Sequence, residues 1–87
     1  MLIEFDAAKN AANLLKHGVG LEQFAEMDVT VALIVSVMAN GEAREVVIAP
    51  IAGRLYVGVI TRRALVIRVI SLRKANSRER KHYASAK

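Results

Sequence analysis

A dense group of arginine and lysine side chains near the carboxyl end is the part of this sequence best suited to chemistry. Its members lie within fourteen positions: Arg68, Arg73, Lys74, Arg78, Arg80 and Lys81. The planar guanidinium of arginine binds phosphate through two parallel hydrogen bonds and keeps its charge at physiological pH. The group therefore predicts contact with an anionic partner, and Lys74, Arg78 and Lys81 are the RNA-binding positions if that partner is RNA rather than DNA or an acidic protein.

Arg68 stands inside an apolar segment, residues 65–72, that is typical of a buried strand. Alternation along a strand predicts that Arg68 shares a face with Val66 and Ile70. A buried strand seldom contains Arg unless the residue pairs with an acid or serves a function. We expect either a functional role for Arg68 or an ion pair. The acids considered for that pair are Glu42, Glu45 and Glu79.

Ser71 and Arg73 are expected on the opposite face, where the end of the strand can meet a phosphate. Tyr83, on the last predicted helix, either stacks on a base or packs that helix onto the sheet, and the packing role is favoured. Arg44 opens a predicted strand and is unremarkable by itself.

The tripeptide Lys16-His17-Gly18 has two interpretations. Histidine is the usual general acid or base near neutral pH, which suggests catalysis. Cations followed by glycine are also typical of a helix end, since they interact favourably with the helix dipole and glycine adopts the left-handed conformation. Spacing alone favours the helix end.

The composition excludes several classes of protein. The 87 residues predict one small domain, 1–87, without room for a separate cofactor domain. The absence of cysteine excludes a disulfide scaffold, a thiolate zinc site and a cysteine nucleophile. The chain has no nucleotide-binding glycine motif, and its two histidines do not suggest a metal site. We therefore expect neither metal nor cofactor.

The charge is divided unevenly along the chain. The net charge of 13 − 8 = +5 combines −3 over residues 1–60 with +8 over residues 61–87. A basic end of this kind favours RNA, DNA or an acidic protein as partner, the alternative being a solvated helix and tail. The longest uncharged run, 29–41, is too short for a membrane helix, and no targeting signal precedes it. We expect a soluble, cytoplasmic protein.

The elements that must position these residues give an α+β fold. A short strand at 2–5 precedes a helix over 7–17, with Asp6 as its N-cap and a buried stripe. That stripe comprises Ala8, Ala11, Ala12 and Leu15. A second helix spans about 21–27. Four apolar, β-branched segments then predict an antiparallel meander, and a final helix closes the chain. The predicted strands are 29–38, 43–51, 54–61 and 65–72, and the helix is 75–84, capped by Asn76 and Glu79.

Two long motifs resemble those of the BrnT family. The first is Phe5-Asp6-x-x-Lys9, followed by Asn13-x-x-Lys16-His17-Gly18-Val19, and the second is RVISLRKANSRERKHY at 68–83. The segments Gly41–Arg44 and Gly53–Val57 fit the family's middle strands. The resemblance spans nearly the whole chain in the same order.

The family consists of toxins of bacterial type II toxin–antitoxin modules with a RelE-like fold. The resemblance implies a metal-independent ribonuclease that arrests translation and is held inactive by an antitoxin, BrnA, whose DNA-binding region represses the operon. It points to a set of matched polar positions near the catalytic site and leaves the general base open. These are Lys16, His17, Arg44, Arg68, Arg73 and Tyr83. The expected assembly is a homodimer or a toxin–antitoxin heterotetramer.

One segment departs from the family pattern. Residues 35–40, Val-Ser-Val-Met-Ala-Asn, are apolar where relatives carry charged and aromatic residues. An exposed apolar strand tends to pair with another chain, so we expect this strand at an antitoxin or self-association interface. Two alternatives to the ribonuclease remain: a non-catalytic protein of the same fold that binds its antitoxin or nucleic acid through the basic end, and a small protein that oligomerises through this strand.

Overall fold

The computed structural model describes residues 2–86, which form one five-stranded sheet with an α-helix between its first two strands and another after its last strand. The strands are β1 (Leu2–Glu4), β2 (Leu33–Ala39), β3 (Glu42–Ile51), β4 (Arg54–Arg63) and β5 (Val66–Lys74). The helices are α1 (Ala7–His17) and α2 (Ser77–Ala86), with short 3₁₀ helices at Leu21–Glu26 and Val29–Val31. The strand order is β1-β5-β4-β3-β2, and the β1–β5 pair alone is parallel. The predicted α+β class and the antiparallel meander are confirmed.

The second predicted helix is wrong in type. Residues 21–26 form a 3₁₀ helix, with hydrogen bonds from Gln23 N to Gly20 O and from Met27 N to Phe24 O, each 3.1 Å. Leu21 and Phe24 are buried three positions apart, which matches the three-residue turn of a 3₁₀ helix. The next strand also starts later than predicted, at Leu33, because Asp28 caps a 3₁₀ turn by accepting from Thr30 N.

The predicted ends of α1 are confirmed. The Asp6 carboxylate accepts hydrogen bonds from the backbone N–H groups of Ala8 (2.8 Å) and Lys9 (3.2 Å), and these bonds hold the pKa of Asp6 below its ordinary value. At the other end Gly18 has a left-handed φ of 72°, and its N–H donates to the Leu14 carbonyl at 2.8 Å.

The predicted buried stripe of α1 is wrong. Its four residues are exposed, and Leu15 is 90% exposed, whereas Asn13 is only 7% exposed. Asn13 Nδ2 donates to the carbonyls of Leu72 (2.8 Å) and Val19 (2.9 Å), and its Oδ1 accepts from Leu72 N (3.2 Å). Because β1 pairs with β5 only from Val66 to Arg68, the β5 edge at Leu72 has no neighbouring strand. An amide side chain offers both a donor and an acceptor to that edge, so the polar side of α1 faces inward.

The main core fills one face of the sheet. Phe24 and Leu21 of the 3₁₀ helix pack there against Val47, Ile60 and Leu72, all almost fully buried. Glycine is required at position 58 of β4, since a Cβ would lie 2.9 Å from the Phe24 ring.

Helix α2 covers part of the opposite face, which we call the α2 face. A smaller apolar cluster forms there around Ile48, Val57 and Ala75, with Tyr83 packed against it. The predicted capping box is confirmed: Asn76 Oδ1 accepts from Glu79 N at 2.8 Å, and Asn76 N donates to Glu79 Oε1 at 2.9 Å. Over residues 2–86 no helix is long and apolar enough to cross a membrane.

Candidate nucleic-acid interface

Arg68 and Arg73 lie on the same face of the sheet, which corrects the expectation of opposite faces. In the β4–β5 ladder Arg68 pairs with Thr61, and Arg73 pairs with Val57. Thr61 and Val57 are four residues apart on β4, so their side chains share a face. A bulge opposite Val59 and Ile60 supplies the extra β5 residue that restores the alignment. Both arginines therefore lie on the α2 face.

A row of side chains crosses the α2 face at its uncovered end. Glu4 pairs with Arg68, and Arg68 pairs with Thr61. Continuing the β3–β4 register one step beyond Glu45 and Ile60 brings Arg44 beside Thr61. We call Glu4, Arg68, Thr61 and Arg44 the arginine row. It places a carboxylate, a hydroxyl and two guanidinium groups on neighbouring strands.

Each arginine of the row is paired with an acid. Arg68 Nη1 lies 2.5 Å from Glu4 Oε2, so the expected partners Glu42, Glu45 and Glu79 are wrong for this residue. Arg44 Nε lies 3.2 Å from Glu42 Oε1, and Arg63 Nη2 lies 3.6 Å from Glu42 Oε2. The Arg68 and Glu4 side chains are 31% and 42% exposed. Ion pairs this accessible are weak, so an incoming anion can compete for the guanidinium groups.

Arg73 lies at the border between the uncovered end and α2. Its Nη1 and Nη2 donate to Glu79 Oε1 and Oε2, both at 2.8 Å. The bidentate pair lowers the pKa of Glu79 and raises that of Arg73. Since their β4 partners are four residues apart, Arg68 and Arg73 are separated by about 13 Å along the strands.

Three other predicted site residues lie on the helices and not on the strands of this row. The Tyr83 hydroxyl donates to the Val31 carbonyl at 2.7 Å, and its ring packs on the α2-face cluster. Lys16 and His17 end α1, and neither side chain makes a hydrogen bond or ion pair with the residues described. A catalytic role for these three residues stays a prediction.

The three predicted RNA contacts extend the positive charge beyond Arg73. Lys74 ends β5, while Arg78 and Lys81 lie on α2, and all three side chains are exposed. None of them forms an ion pair within residues 2–86. Lys74 is the ladder partner of Tyr56, so its side chain points to the main-core face and not to the α2 face. We call Arg73, Arg78 and Lys81 the basic border.

Sequence reasoning missed Glu4 and Thr61 as members of the row. Glu4 reaches Arg68 only through a three-residue parallel strand 64 positions away, for which the local sequence carries no signal. A threonine within an apolar strand is a signal that could have identified Thr61. Within the described range no group of acidic or histidine side chains could hold a metal ion. A cavity of about 180 Å³ touches Arg44 and Thr61 but is lined mainly by residues of the main-core face, among them Ser36, Glu45 and Arg62.

Comparison with known families decides what kind of protein carries this surface. A family model described as "Ribonuclease toxin, BrnT, of type II toxin-antitoxin system" matches residues 5–79. The chain belongs to this family. No curated protein matches the sequence.

The solved structures include a BrnT with the same fold. The 1.1 Å crystal structure of the Brucella abortus ribonuclease toxin BrnT superposes with a TM-score of 0.72, covering 88% of this chain and 99% of that chain at 23% identity. The resemblance to BrnT found in the sequence is thereby confirmed. The BrnT match includes Arg44, Thr61, Arg68 and Arg73, whereas Glu4 and Tyr83 lie just outside it.

Proposed function

We propose that this BrnT-family protein is a metal-independent endoribonuclease that binds RNA across the arginine row, inhibits translation and is neutralised by a BrnA-like antitoxin in the cytoplasm. One observation carries the proposal. Two guanidinium groups, a hydroxyl and a carboxylate stand on adjacent strands of a face that α2 leaves uncovered. The RelE-like relationship and the assembly with an antitoxin follow from the family resemblance.

The row supplies the groups that RNA cleavage without metal requires. Glu4 accepts the proton of the ribose 2′-hydroxyl, and the 2′ oxygen attacks the neighbouring phosphorus. Arg68 and Arg44 stabilise the additional negative charge of the phosphorane. The bond from phosphorus to the 5′ oxygen then breaks, and the 5′ oxygen takes a proton from water while Glu4 returns its own to solvent. The products are a 2′,3′-cyclic phosphate and a 5′-hydroxyl.

The basic border orients the RNA strand over this row. Arg73 can contact a phosphate about 13 Å from that at Arg68, given the rise of a strand. Arg78 and Lys81 extend the track along α2. Phosphate contacts of this kind supply affinity without sequence selectivity.

Replacing Arg68 tests the proposal. We expect Arg68→Ala to lower the RNA cleavage rate in EDTA by about 10²–10³-fold, because one stabilising donor of the transition state is lost. Arg54→Ala is the matched control, since Arg54 is an exposed arginine that opens β4 away from the row. Cleavage that survives Arg68→Ala at the control's rate would place the reaction elsewhere.

A second function is favoured by the edge strand β2. Its apolar side chains are exposed on both faces, including Ile34 (46%), Val35 (41%) and Met38 (69%). An uncharged edge strand readily accepts another strand, which supports an antitoxin or self-association contact at β2. The assembly protein rests on this strand, whereas the non-catalytic binder would hold its antitoxin or nucleic acid through the basic end of the chain. Purified protein that binds the antitoxin or oligomerises while leaving RNA intact would favour them.

A further inference from the structure

Thr61 carries a hydroxyl that the fold itself does not use. The residue is 3% exposed, and its Oγ1 is the one buried side-chain polar atom of residues 2–86 without a hydrogen-bond partner. A buried hydroxyl without a partner destabilises a protein, whereas valine would present an apolar group of similar shape. β4 already uses valine at positions 57 and 59. An unsatisfied hydroxyl at this position therefore points to a ligand.

The surroundings of Thr61 define the charge of that ligand. Arg68 is its ladder partner on β5, and Arg44 lies beside it on β3. The guanidinium groups carry donors and no acceptor, and a threonine hydroxyl can donate as well. Three donors on adjacent strands fit an anion with several acceptor oxygens.

We propose that Thr61 donates a hydrogen bond to a phosphate oxygen held between Arg44 and Arg68. This inference rests on the proposed function and identifies the centre of the arginine row as the binding site of the scissile phosphate. The arginines supply charge, and the hydroxyl supplies one directional donor from a rigid strand. Thr61 is then a substrate-contacting residue.

Binding at Thr61 requires the two arginines to exchange partners. Arg68 is held by Glu4 and Arg44 by Glu42, and the arginine side chains are 31% and 25% exposed. A phosphate that draws both guanidinium groups toward Thr61 replaces two accessible ion pairs with charge-assisted bonds and uncovers the hydroxyl. The exchange also frees the Glu4 carboxylate from Arg68 for its part in cleavage.

Two substitutions separate the hydroxyl from the shape of the side chain. Thr61→Val keeps the branched shape and removes the hydroxyl, whereas Thr61→Ser keeps the hydroxyl and removes the methyl group. Titration of the intact protein with inorganic phosphate, followed by NMR chemical shifts, measures anion binding. The cleavage rate of RNA and the melting temperature are measured on the same three proteins.

We expect Thr61→Val to weaken phosphate binding by about tenfold and to slow cleavage at least as much, since a hydrogen bond to a charged group is lost. The same variant should melt about 4 °C higher, because an unsatisfied buried hydroxyl is removed. Thr61→Ser should melt below the wild type and retain phosphate affinity within about twofold, since it keeps the donor. An improvement in stability joined to a loss of binding excludes a purely structural role.

Unchanged phosphate affinity in Thr61→Val, or equal losses in both variants, would overturn the inference. The outcome is separable from that of the proposed function. If the wild type leaves RNA intact but binds phosphate through Thr61, the ribonuclease proposal fails and the anion site stands. If the wild type cleaves RNA and Thr61→Val cleaves equally well, the ribonuclease proposal stands and the role of Thr61 fails.

Discussion

The α2 face contains two halves built from the same strands for different purposes. In the covered half Ile48 and Val57 pack beneath α2 and are almost fully buried. In the uncovered half the same two strands present Arg44 and Thr61. The covered half stabilises the folded state by burying apolar surface. The uncovered half keeps charged groups accessible, because their ion pairs are weak. The difference shows how a chain of 87 residues can stabilise itself and hold a site on one sheet face.

The largest stability effect is expected in the covered half. Ile48→Ala removes a side chain that is 4% exposed and should lower the free energy of unfolding by about 2–4 kcal/mol, owing to the lost burial and the cavity left behind. Urea unfolding followed by circular dichroism measures the change. A decrease in the free energy of unfolding below about 1 kcal/mol would mean that α2 does not pack tightly over this half.

The uncovered half should respond in the opposite way. Arg44→Ala leaves the free energy of unfolding within about 1 kcal/mol, because the ion pair with Glu42 is accessible. The same substitution should slow RNA cleavage by about 10–10²-fold, since one cation of the row is removed. Cleavage and unfolding assays on the same preparation separate the two effects, and a variant that unfolds easily yet cleaves normally would reverse the comparison.

The Arg73–Glu79 pair joins the two halves and makes stability depend on pH. The folded pKa of Glu79 lies below its ordinary value of 4.5, mainly because of the hydrogen bonds from Arg73. Its stabilising contribution is therefore present above about pH 4.5 and is lost as the pH falls through the lower, folded value. In Glu79→Gln this part of the acid destabilisation should disappear. At neutral pH the same substitution should lower the free energy of unfolding by about 1 kcal/mol or less. Thermal melts from pH 3 to 7 measure it, and parallel curves for both proteins would contradict the assignment.

The smallest effect is expected along the basic border. Lys81→Ala should weaken RNA binding by about two- to threefold and reduce the dependence of affinity on salt by about one counterion. Fluorescence anisotropy with a single-stranded RNA at several salt concentrations measures both quantities. An unchanged salt slope would show that the RNA does not follow α2.

The sequence predicted the elements whose signals are local. The ends of α1 and the capping box of α2 depend on residues within one turn. The residue types at Asp6, Gly18 and Asn76 are those typical of helix caps, so they indicate these ends directly. The meander was predictable because β-branched segments alternate with short turns, such as Asn40-Gly41, where both φ angles are positive.

The remaining features depend on contacts distant in the chain. Asn13 faces inward because the β5 edge at Leu72 lacks a strand partner. A prediction based on local hydrophobicity therefore places the wrong side of α1 against the sheet. The bulge in β5 moves Arg73 onto the face of Arg68, and a single inserted residue leaves no clear mark on an apolar strand. The arginines of the site were therefore identifiable by type, while their shared face and the partner Glu4 were not.

The most direct test of the account is analysis of RNA ends produced by the wild-type protein in EDTA. The arginine row predicts cleavage without metal, giving 2′,3′-cyclic phosphate and 5′-hydroxyl ends, and no cleavage where the attacking ribose is replaced by 2′-deoxyribose. Intact RNA, or cleavage that yields 3′-hydroxyl ends or persists at the deoxyribose, would contradict it.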